Sequence, residues 1–356
     1  MSNLKQITVQ GYKSIQSLEN FELNSLNILI GANGAGKSNF ISLFKLLANI
    51  EAQNLQVYTQ TSGGPDSLLF YGRQTTNKIQ IKFDFGHHGY GFNLIPTADN
   101  RLIFESESLY NLDSDSIIIG KGNEESQLKN TKLTAANEIS STILNWKIYH
   151  FHDTGDNAKV KQLQSVANNL KLQGDASNLA PYLKRLKTEY PDNYHQIVKT
   201  VQMVAPFFKN FVFREQVENI ELEWAEVKNP DQPFKAYMLS DGTLRFICLA
   251  TLLLQPYDLM PDIILIDEPE LGLHPYAINI LSSLIQRASD KKQLIISSQS
   301  IELIDNFNLE DLVIINHENN RTRFNRLDNE KLEAWLEEYS LGELWKSNIL
   351  GGRPSR

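Results

Sequence analysis

The chain has 356 residues, enough for one large α/β domain or for a core domain carrying an inserted lobe. Apolar residues make up 41%, and 34 Lys and Arg against 42 Asp and Glu give a formal charge of −8, which excludes a wholly basic nucleic-acid binder while leaving room for one basic face. A single cysteine, Cys248, excludes a disulfide framework and a cysteine-based zinc site, and no run approaches about eighteen uncharged apolar residues, so a cytoplasmic protein with no membrane role is expected.

Leu4 to Val9 alternates as a strand does, and after Gly11-Tyr-Lys-Ser-Ile15 a second strand-like piece runs through Phe21 and Leu23. The apolar run Leu26 to Ile30 follows, then Gly31-Ala-Asn-Gly-Ala-Gly-Lys-Ser38. Phe40, Leu43, Phe44, Leu46 and Leu47 then fall at helical spacing, which predicts a helix from Asn39 to about Ile50. The pattern weakens over Glu51 to Gln60, and Thr61-Ser-Gly-Gly-Pro65 is a loop by composition. Ile79 to Phe85, Gly91 to Ile95, Leu102 to Glu107 and Ser116 to Ile119 predict an antiparallel meander, and polar Lys121 to Ala135 a mobile connection. Trp146 to His152 reads as a strand; Val160 to Leu172, Asn178 to Tyr190 and Tyr194 to Phe208 read as the helices of an inserted lobe.

Strand character returns at Phe211 to Phe213, Ile220 to Trp224 and Phe234 to Met238. Leu239-Ser-Asp-Gly-Thr-Leu-Arg245 then opens a helix through Leu254. Asp262 to Ile266, Tyr276 to Ala288 and Gln293 to Ile296 read strand, helix, strand, the signal of a parallel sheet. Glu330 to Tyr339 carries Leu332, Trp335 and Leu336 on one face, Ser340-Leu-Gly-Glu343 fits a capping box, and Leu350 to Arg356 is a basic tail. The fold expected is α/β with a mixed sheet and an inserted helical and β lobe. Its divisions fall at 1–85, 86–235, 236–325 and 326–356.

The glycine loop is a G-x-x-x-x-G-K-[ST] phosphate loop, a Walker A sequence between a strand and a helix. Gly31, Gly34 and Gly36 lack the β-carbon that would keep backbone N–H groups from turning onto phosphate oxygens. Asn33, Gly34, Ala35, Gly36, Lys37, Ser38 and Asn39 are the expected phosphate contacts; Lys37 reaches the β and γ phosphates of ATP and Ser38 gives its hydroxyl to Mg²⁺. Ile263-Ile-Leu-Ile-Asp-Glu268 is a Walker B sequence, which buries a strand and delivers two carboxylates at its C-terminal edge. Asp267 is the expected Mg²⁺ residue and Glu268 the general base that polarises water. Ser240, as a helix N-cap with Gly242 behind it, makes a second anion site that cannot serve the same phosphate from within its own subunit.

The phosphate loop, Leu239-Ser-Asp-Gly242, the Asp267-Glu268 strand and Glu268-Pro-Glu-Leu-Gly-Leu-His-Pro275, in this order, resemble the ABC-type ATPase heads of the RecF-like, SMC-like and OLD-like AAA ATPases. The resemblance covers roughly Met1 to Ser67 and Met238 to Asn316. It implies a P-loop NTPase head that forms a homodimer as an ATP sandwich, with Ser240 and Gly242 closing over the partner's γ phosphate. Gly11-Tyr-Lys-Ser14 resembles the family's N-terminal segment, which makes Lys13 a candidate nucleotide contact, and His274 lies where the family contacts its partner subunit. Where the family often has a histidine sensing the γ phosphate, this chain has Ser297-Ser-Gln299, so Gln299 takes that place and hydrolysis is expected to be slow or gated. The family's Q-loop glutamine is not identifiable, with Gln74 as a stand-in.

His150 and His152 share a face of an extended strand, which is metal-ligand geometry without a third ligand set by spacing. Lys159, Lys161, Lys184, Arg185 and Lys187 offer either a phosphate-contacting face or a solvated surface. The resemblance implies a sensor ATPase that regulates a separate effector protein, a nuclease or toxin, in antiphage defence. A RecF-like repair ATPase binding DNA, a transporter nucleotide-binding subunit and a non-hydrolysing scaffold remain as alternatives. OLD-like relatives carry a Toprim nuclease after the head, which this sequence lacks, so the effector is expected on another polypeptide.

Overall fold

Alternating burial along Gln6–Tyr12 sets the first strand, β1: Ile7 and Val9 face the core while Gln6, Thr8 and Gln10 stay partly exposed. The computed structural model describes residues 3–111, 114–327, 332, 335 and 337–351. It comprises two units, Met1–Trp146 with Asn308–Arg356, and Lys147–Phe307. This division runs through both 86–235 and 236–325, the central segments read from the sequence.

In the first unit β1 pairs with β2 (Ile15–Glu22) through a tight turn in which Tyr12 faces Ile15 and Lys13 takes a left-handed φ of 48°. The buried strand β3 (Leu26–Ile30) leads through the glycine loop into α1 (Lys37–Glu51). Two short helices follow, α2 (Leu55–Thr61) and α3 (Pro65–Leu68), over residues whose helical pattern is weak in the sequence. The meander is β4 (Ile79–Asp84), β5 (His88–Pro96), β6 (Leu102–Asn111) and β7 (Ser114–Gly120). It does not form a separate lobe, because β4 pairs directly with β1 and completes a six-stranded sheet in the order β2-β1-β4-β5-β6-β7. The helix α4 (Thr134–Leu144) packs Ala136, Ile139 and Ile143 inward and contacts α1. Trp146 lies against Phe44, Phe83 and Phe85, with ring centroids 5.3, 6.0 and 6.1 Å away.

The connection Lys121 to Ala135, expected to be mobile, is instead tied down, and its last two residues already belong to α4. The Glu125 carboxylate accepts the N–H groups of Leu55 and Gln56 at 2.9 and 3.1 Å, so a residue distant in sequence supplies the cap for α2. Ser126 is buried and donates to Glu107 at 2.5 Å; Glu107, fully buried, also receives the Tyr90 hydroxyl at 2.6 Å and the Gln127 N–H at 2.7 Å. A polar composition signals a solvated loop only when no buried carboxylate is recruiting its donors.

The second unit starts from β8 (Trp146–Tyr149), of which Trp146 belongs to the first. The helix expected over 160–172 does not form. A 3₁₀ turn at Lys159–Lys161 and the two-residue strand β9 (Gln164–Ser165) stand there, with Leu163 and Leu170 in solvent. The buried Asn178 amide explains the loop that follows: it donates to the carbonyls of Asn168 and Lys171, both at 2.9 Å, and accepts the Gln173 N–H at 2.9 Å. The helices α5 (Leu179–Glu189) and α6 (Pro191–Val204) do form. Next come β10 (Phe208–Val212), β11 (Asn219–Ile220), which pairs with β9, then β12 (Glu223–Glu226) and β13 (Pro233–Lys235), with β10-β12-β13 a small antiparallel sheet.

The helix α7 (Asp241–Leu254) packs on α6 and α8. The strand β14 (Ile263–Asp267), the helix α8 (Pro275–Ser289) and the strand β15 (Gln293–Ser298) form the expected crossover, since β14 and β15 are parallel and pair from Ile263 with Gln293 to Asp267 with Ser297. The short helix α9 (Ile301–Ile304) ends the unit. Back in the first unit, β16 (Leu312–Glu318) runs parallel to β3 and antiparallel to β17 (Arg321–Arg326). A last helix, α10 (Leu341–Lys346), opens with the expected Ser340–Glu343 capping box. The expected helix at Glu330 to Tyr339 and the basic tail lie largely outside the described residues. Among the described residues no helix is long and apolar enough to cross a membrane.

Because the buried Glu107 is the common acceptor of three donors, Glu107→Ala should lower the unfolding free energy by about 2–4 kcal/mol. The exposed Arg101–Glu124 ion pair, opened by Glu124→Ala, should leave the urea midpoint close to wild type. Urea denaturation of the two variants checks the contrast.

Candidate functional site

The phosphate loop leaves β3 at Gly31 and enters α1 at Lys37. Gly36 takes φ 115° and a β-carbon there would strike the Thr322 side chain of β17, while one on Gly31 would strike the Ile315 carbonyl of β16. Gly34, at φ 81°, has open space around it. The glycines therefore serve the packing of two later strands as well as the loop's own turns. The helix α1 begins with no side-chain cap and no acidic residue in its first turn, so its first N–H groups are not covered by a carboxylate. The Lys37 side chain is 5% exposed and its ammonium donates to the carbonyls of Gly31 at 2.5 Å and Ala32 at 3.2 Å. Asn33, Gly34 and Ser38 are exposed, whereas Ala35 is buried.

Thr322, which the sequence reading missed, joins the loop to the β1–β2 turn. Its hydroxyl donates to the Ala35 carbonyl at 3.0 Å and lies 2.7 Å from the Ser14 hydroxyl, and its N–H reaches the Ser14 carbonyl at 2.8 Å. The Asn39 amide donates to the Ser14 hydroxyl at 2.7 Å. Lys13, on the same turn, is half-buried; burial and then the nearby Lys45 charge hold its ammonium pKa below the ordinary range. A cleft of about 690 Å³ opens here, lined by Lys13, Ser14, Asn39, Asp66, Tyr71 and Gly72 among others. Tyr71 is 56% exposed and sits edge-on to Phe70 at 4.7 Å. Gln74 lies on an exposed turn and does not line this cleft.

In the second unit the parallel register sets Asp267 opposite Ser297, whose hydroxyl donates to the Asp267 carboxylate. Glu268 follows in a left-handed conformation, φ 42°, and its N–H bonds the Ser297 carbonyl at 2.9 Å. That conformation costs a non-glycine residue of order 1 kcal/mol or more, and here it turns the side chain toward Gln299. The Gln299 amide donates to Glu268 Oε1 at 2.8 Å. The sequence reading gave these two residues separate roles, and the structure brings them into contact. Glu270, buried behind them, accepts the Ser298 hydroxyl at 2.7 Å and the Gln299 N–H at 3.2 Å. Burial pushes its carboxyl above the usual range, helped by the Glu268 charge and opposed by those hydrogen bonds.

Ser240 is the N-cap of α7, its hydroxyl accepting the Thr243 N–H at 3.2 Å. Gly242 is fixed by contact, since a β-carbon would strike the Gly272 carbonyl. One turn on, Arg245 is 7% exposed and gives its guanidinium to three carbonyls: Phe151 at 2.9 Å, His152 at 3.1 Å and Leu271. A lone arginine in an otherwise apolar helix was the available signal for it. His274 caps α8, its Nδ1 accepting the Tyr276 N–H at 3.2 Å. The basic residues of the lobe have partners within it: Lys159, Lys161, Lys184 and Arg185 pair with Asp175, Asp241, Glu215 and Glu189, and Lys187 lies over the Phe213 ring. Cys248 is buried, its thiol pushed up to about 12 by desolvation.

Residues 26–305 match the family model described as "AAA domain, putative AbiEii toxin, Type IV TA system". The chain belongs to this family. Its fold is similar to that of the crystal structure of an SMC head bound to the C-winged helix domain of ScpA, with TM-score 0.61 and 14% identity, covering 93% of this chain and 99% of that one. It is also similar to an SMC head domain with an extended coiled coil from Pyrococcus furiosus bound to the C-terminal domain of ScpA, with TM-score 0.59 and 13% identity, covering 95% and 99%. No curated protein sequence matches. The fold is thus the P-loop head fold of SMC head domains, as the order of the motifs implied.

A carboxyl whose folded pKa is raised holds its proton more tightly in the native state. Its contribution to stability is therefore greatest at low pH and is lost as pH rises from its ordinary value of 4.5 through the raised one. Glu270→Gln, which keeps an acceptor for Ser298 and Gln299, should flatten the fall of the urea midpoint across that window and stabilise the protein at neutral pH.

Proposed function

We propose that this chain binds ATP with Mg²⁺, dimerises around two nucleotides and hydrolyses them slowly, acting in the cytoplasm as the sensor and regulator of a separate nuclease or toxin effector in antiphage defence. The observation that carries ATP binding is the phosphate loop, with an uncapped helix start behind it and the Lys37 ammonium held over its carbonyls at 2.5 and 3.2 Å. A triphosphate replaces those weak acceptors with charged oxygens, to which a lysine donor bonds more strongly. The cleft beside the loop suits the nucleoside, with Tyr71 as a stacking face and Lys13 as a cation toward ribose or phosphate.

Ser38 and Asp267 are hard oxygen donors, which suits Mg²⁺, and the ion supplies charge neutralisation along the phosphates. Glu268 takes the proton of the attacking water, and Gln299, donating to it at 2.8 Å, fixes where that carboxylate points. An amide in this place orients without carrying a proton, which favours slow turnover. Exposed Tyr237, Met238, Leu271 and Tyr276 flank Ser240, Gly242 and His274, and support a second copy docking on that face. The family description, which names the AbiEii toxin of a type IV toxin–antitoxin system, supports a defence role.

Lys37→Ala should abolish ATP binding. Glu268→Gln should bind ATP, turn it over about 10²–10⁴-fold more slowly and run as a dimer by light scattering with ATP and Mg²⁺. A monomeric Glu268→Gln protein with unchanged turnover would remove Glu268 as the general base and the ATP-dependent dimer with it.

Pull-down of the Glu268→Gln form from its native host, followed by mass spectrometry, should yield a stoichiometric second protein with nuclease-like motifs. A bare dimer whose ATP turnover rises with added DNA would replace the effector reading with a repair-type ATPase.

A further inference from the structure

His150 and His152 lie just past β8, two residues apart on extended chain, and the fold brings Asp267 to them from the end of β14. One ligand atom from each of the three lies within 4.8 Å of the others, and all three side chains are half-buried, reachable by an ion yet partly shielded from bulk water. Ligand atoms sharing an ion at about 2.1 Å stand about 3.0–3.4 Å apart, so small side-chain rotations close the set. The backbone that carries the histidines is held from both sides. The His150 N–H bonds the Gly174 carbonyl at 2.8 Å, and Arg245 holds the carbonyls of Phe151 and His152. The two imidazoles are 6.4 Å apart by centroid and inclined by 35°, compatible with both facing one point.

We propose that His150, His152 and Asp267 form a binding site for a divalent first-row transition-metal ion. Two imidazoles and one carboxylate are the donor set of Zn²⁺, Mn²⁺ and Fe²⁺ sites and a poor one for Mg²⁺, which prefers oxygen in every position. Three protein ligands leave coordination positions open to water or a phosphate oxygen. The positive charge of Arg245 is directed to backbone carbonyls, and Glu268 and Glu270, which follow Asp267 closely, add negative charge that favours a cation. The site shares Asp267 with the proposed ATPase function.

Co²⁺ is the probe, because its visible absorption reports nitrogen ligation. The full chain, stripped with a chelator and free of nucleotide, should bind one equivalent with a visible spectrum. Zn²⁺ should displace it, whereas Mg²⁺ at about hundredfold higher concentration should not. His150→Ala and His152→Ala should each weaken Co²⁺ binding about tenfold or more, with His195→Ala, an exposed histidine outside the cluster, binding as wild type. Circular dichroism reports whether each variant is folded. Absence of a spectrum, equal competition by Mg²⁺, or wild-type binding by both folded histidine variants would overturn the site. ATP binding without metal, measured on the same preparations, tests the phosphate loop separately, so failure of one reading leaves the other standing.

Discussion

A buried guanidinium hydrogen-bonded to three backbone carbonyls joins the segments that carry them, and that constraint organises the second unit of this molecule. Arg245 carries its charge into α7 and is answered by the carbonyls of Phe151, His152 and Leu271. The helix that starts at Ser240, the segment leaving β8 and the turn after β14 are therefore held to one side chain. Desolvation of the cation is unfavourable and lowers its pKa, and each carbonyl bond offsets part of that cost. Removing the arginine would release three segments at once. The bare contact of Gly242 with Gly272 is part of the same arrangement, because only a missing β-carbon lets the helix start approach that turn.

The other half depends on a comparable short contact. Gly36 sits where a β-carbon would overlap Thr322, and the Thr322 hydroxyl uses the closeness to bond Ala35 and Ser14. Asn39 then bonds Ser14 from the first turn of α1. Loop, helix start, β1–β2 turn and β17 are thus joined through three small polar side chains. A rigid cradle keeps its N–H groups oriented before a ligand arrives, which lowers the reorganisation that binding requires.

The acidic end of β14 shows how a strained backbone is used. Parallel pairing with β15 fixes Asp267 opposite Ser297, and the left-handed turn at Glu268 then directs its carboxylate to Gln299. Glu270 lies behind, buried and raised in pKa, and accepts from the residues that place Gln299. Three carboxylates in four residues thereby meet different surroundings: one faces a hydroxyl and two histidines, one an amide, one the protein interior.

Local patterns carried much of this in the sequence. The glycine loop, the four apolar residues before Asp267, the Ser240 cap, the Ser340–Glu343 capping box and the meander were legible because each rests on spacing over a few residues. Local patterns also misled. Val160 to Leu172 has helical spacing, yet Asn178 takes its backbone partners into a loop, and polar 121–133 is held by Glu107 and by its own capping of α2. What only the tertiary structure decided are the long-range meetings: Thr322 with the phosphate loop, Arg245 with three carbonyls, and His150 and His152 with Asp267. Chain spacing sets which residues share a face of one element. Which elements then face each other depends on burial and on satisfying buried polar groups across the whole chain, and no local window contains that information.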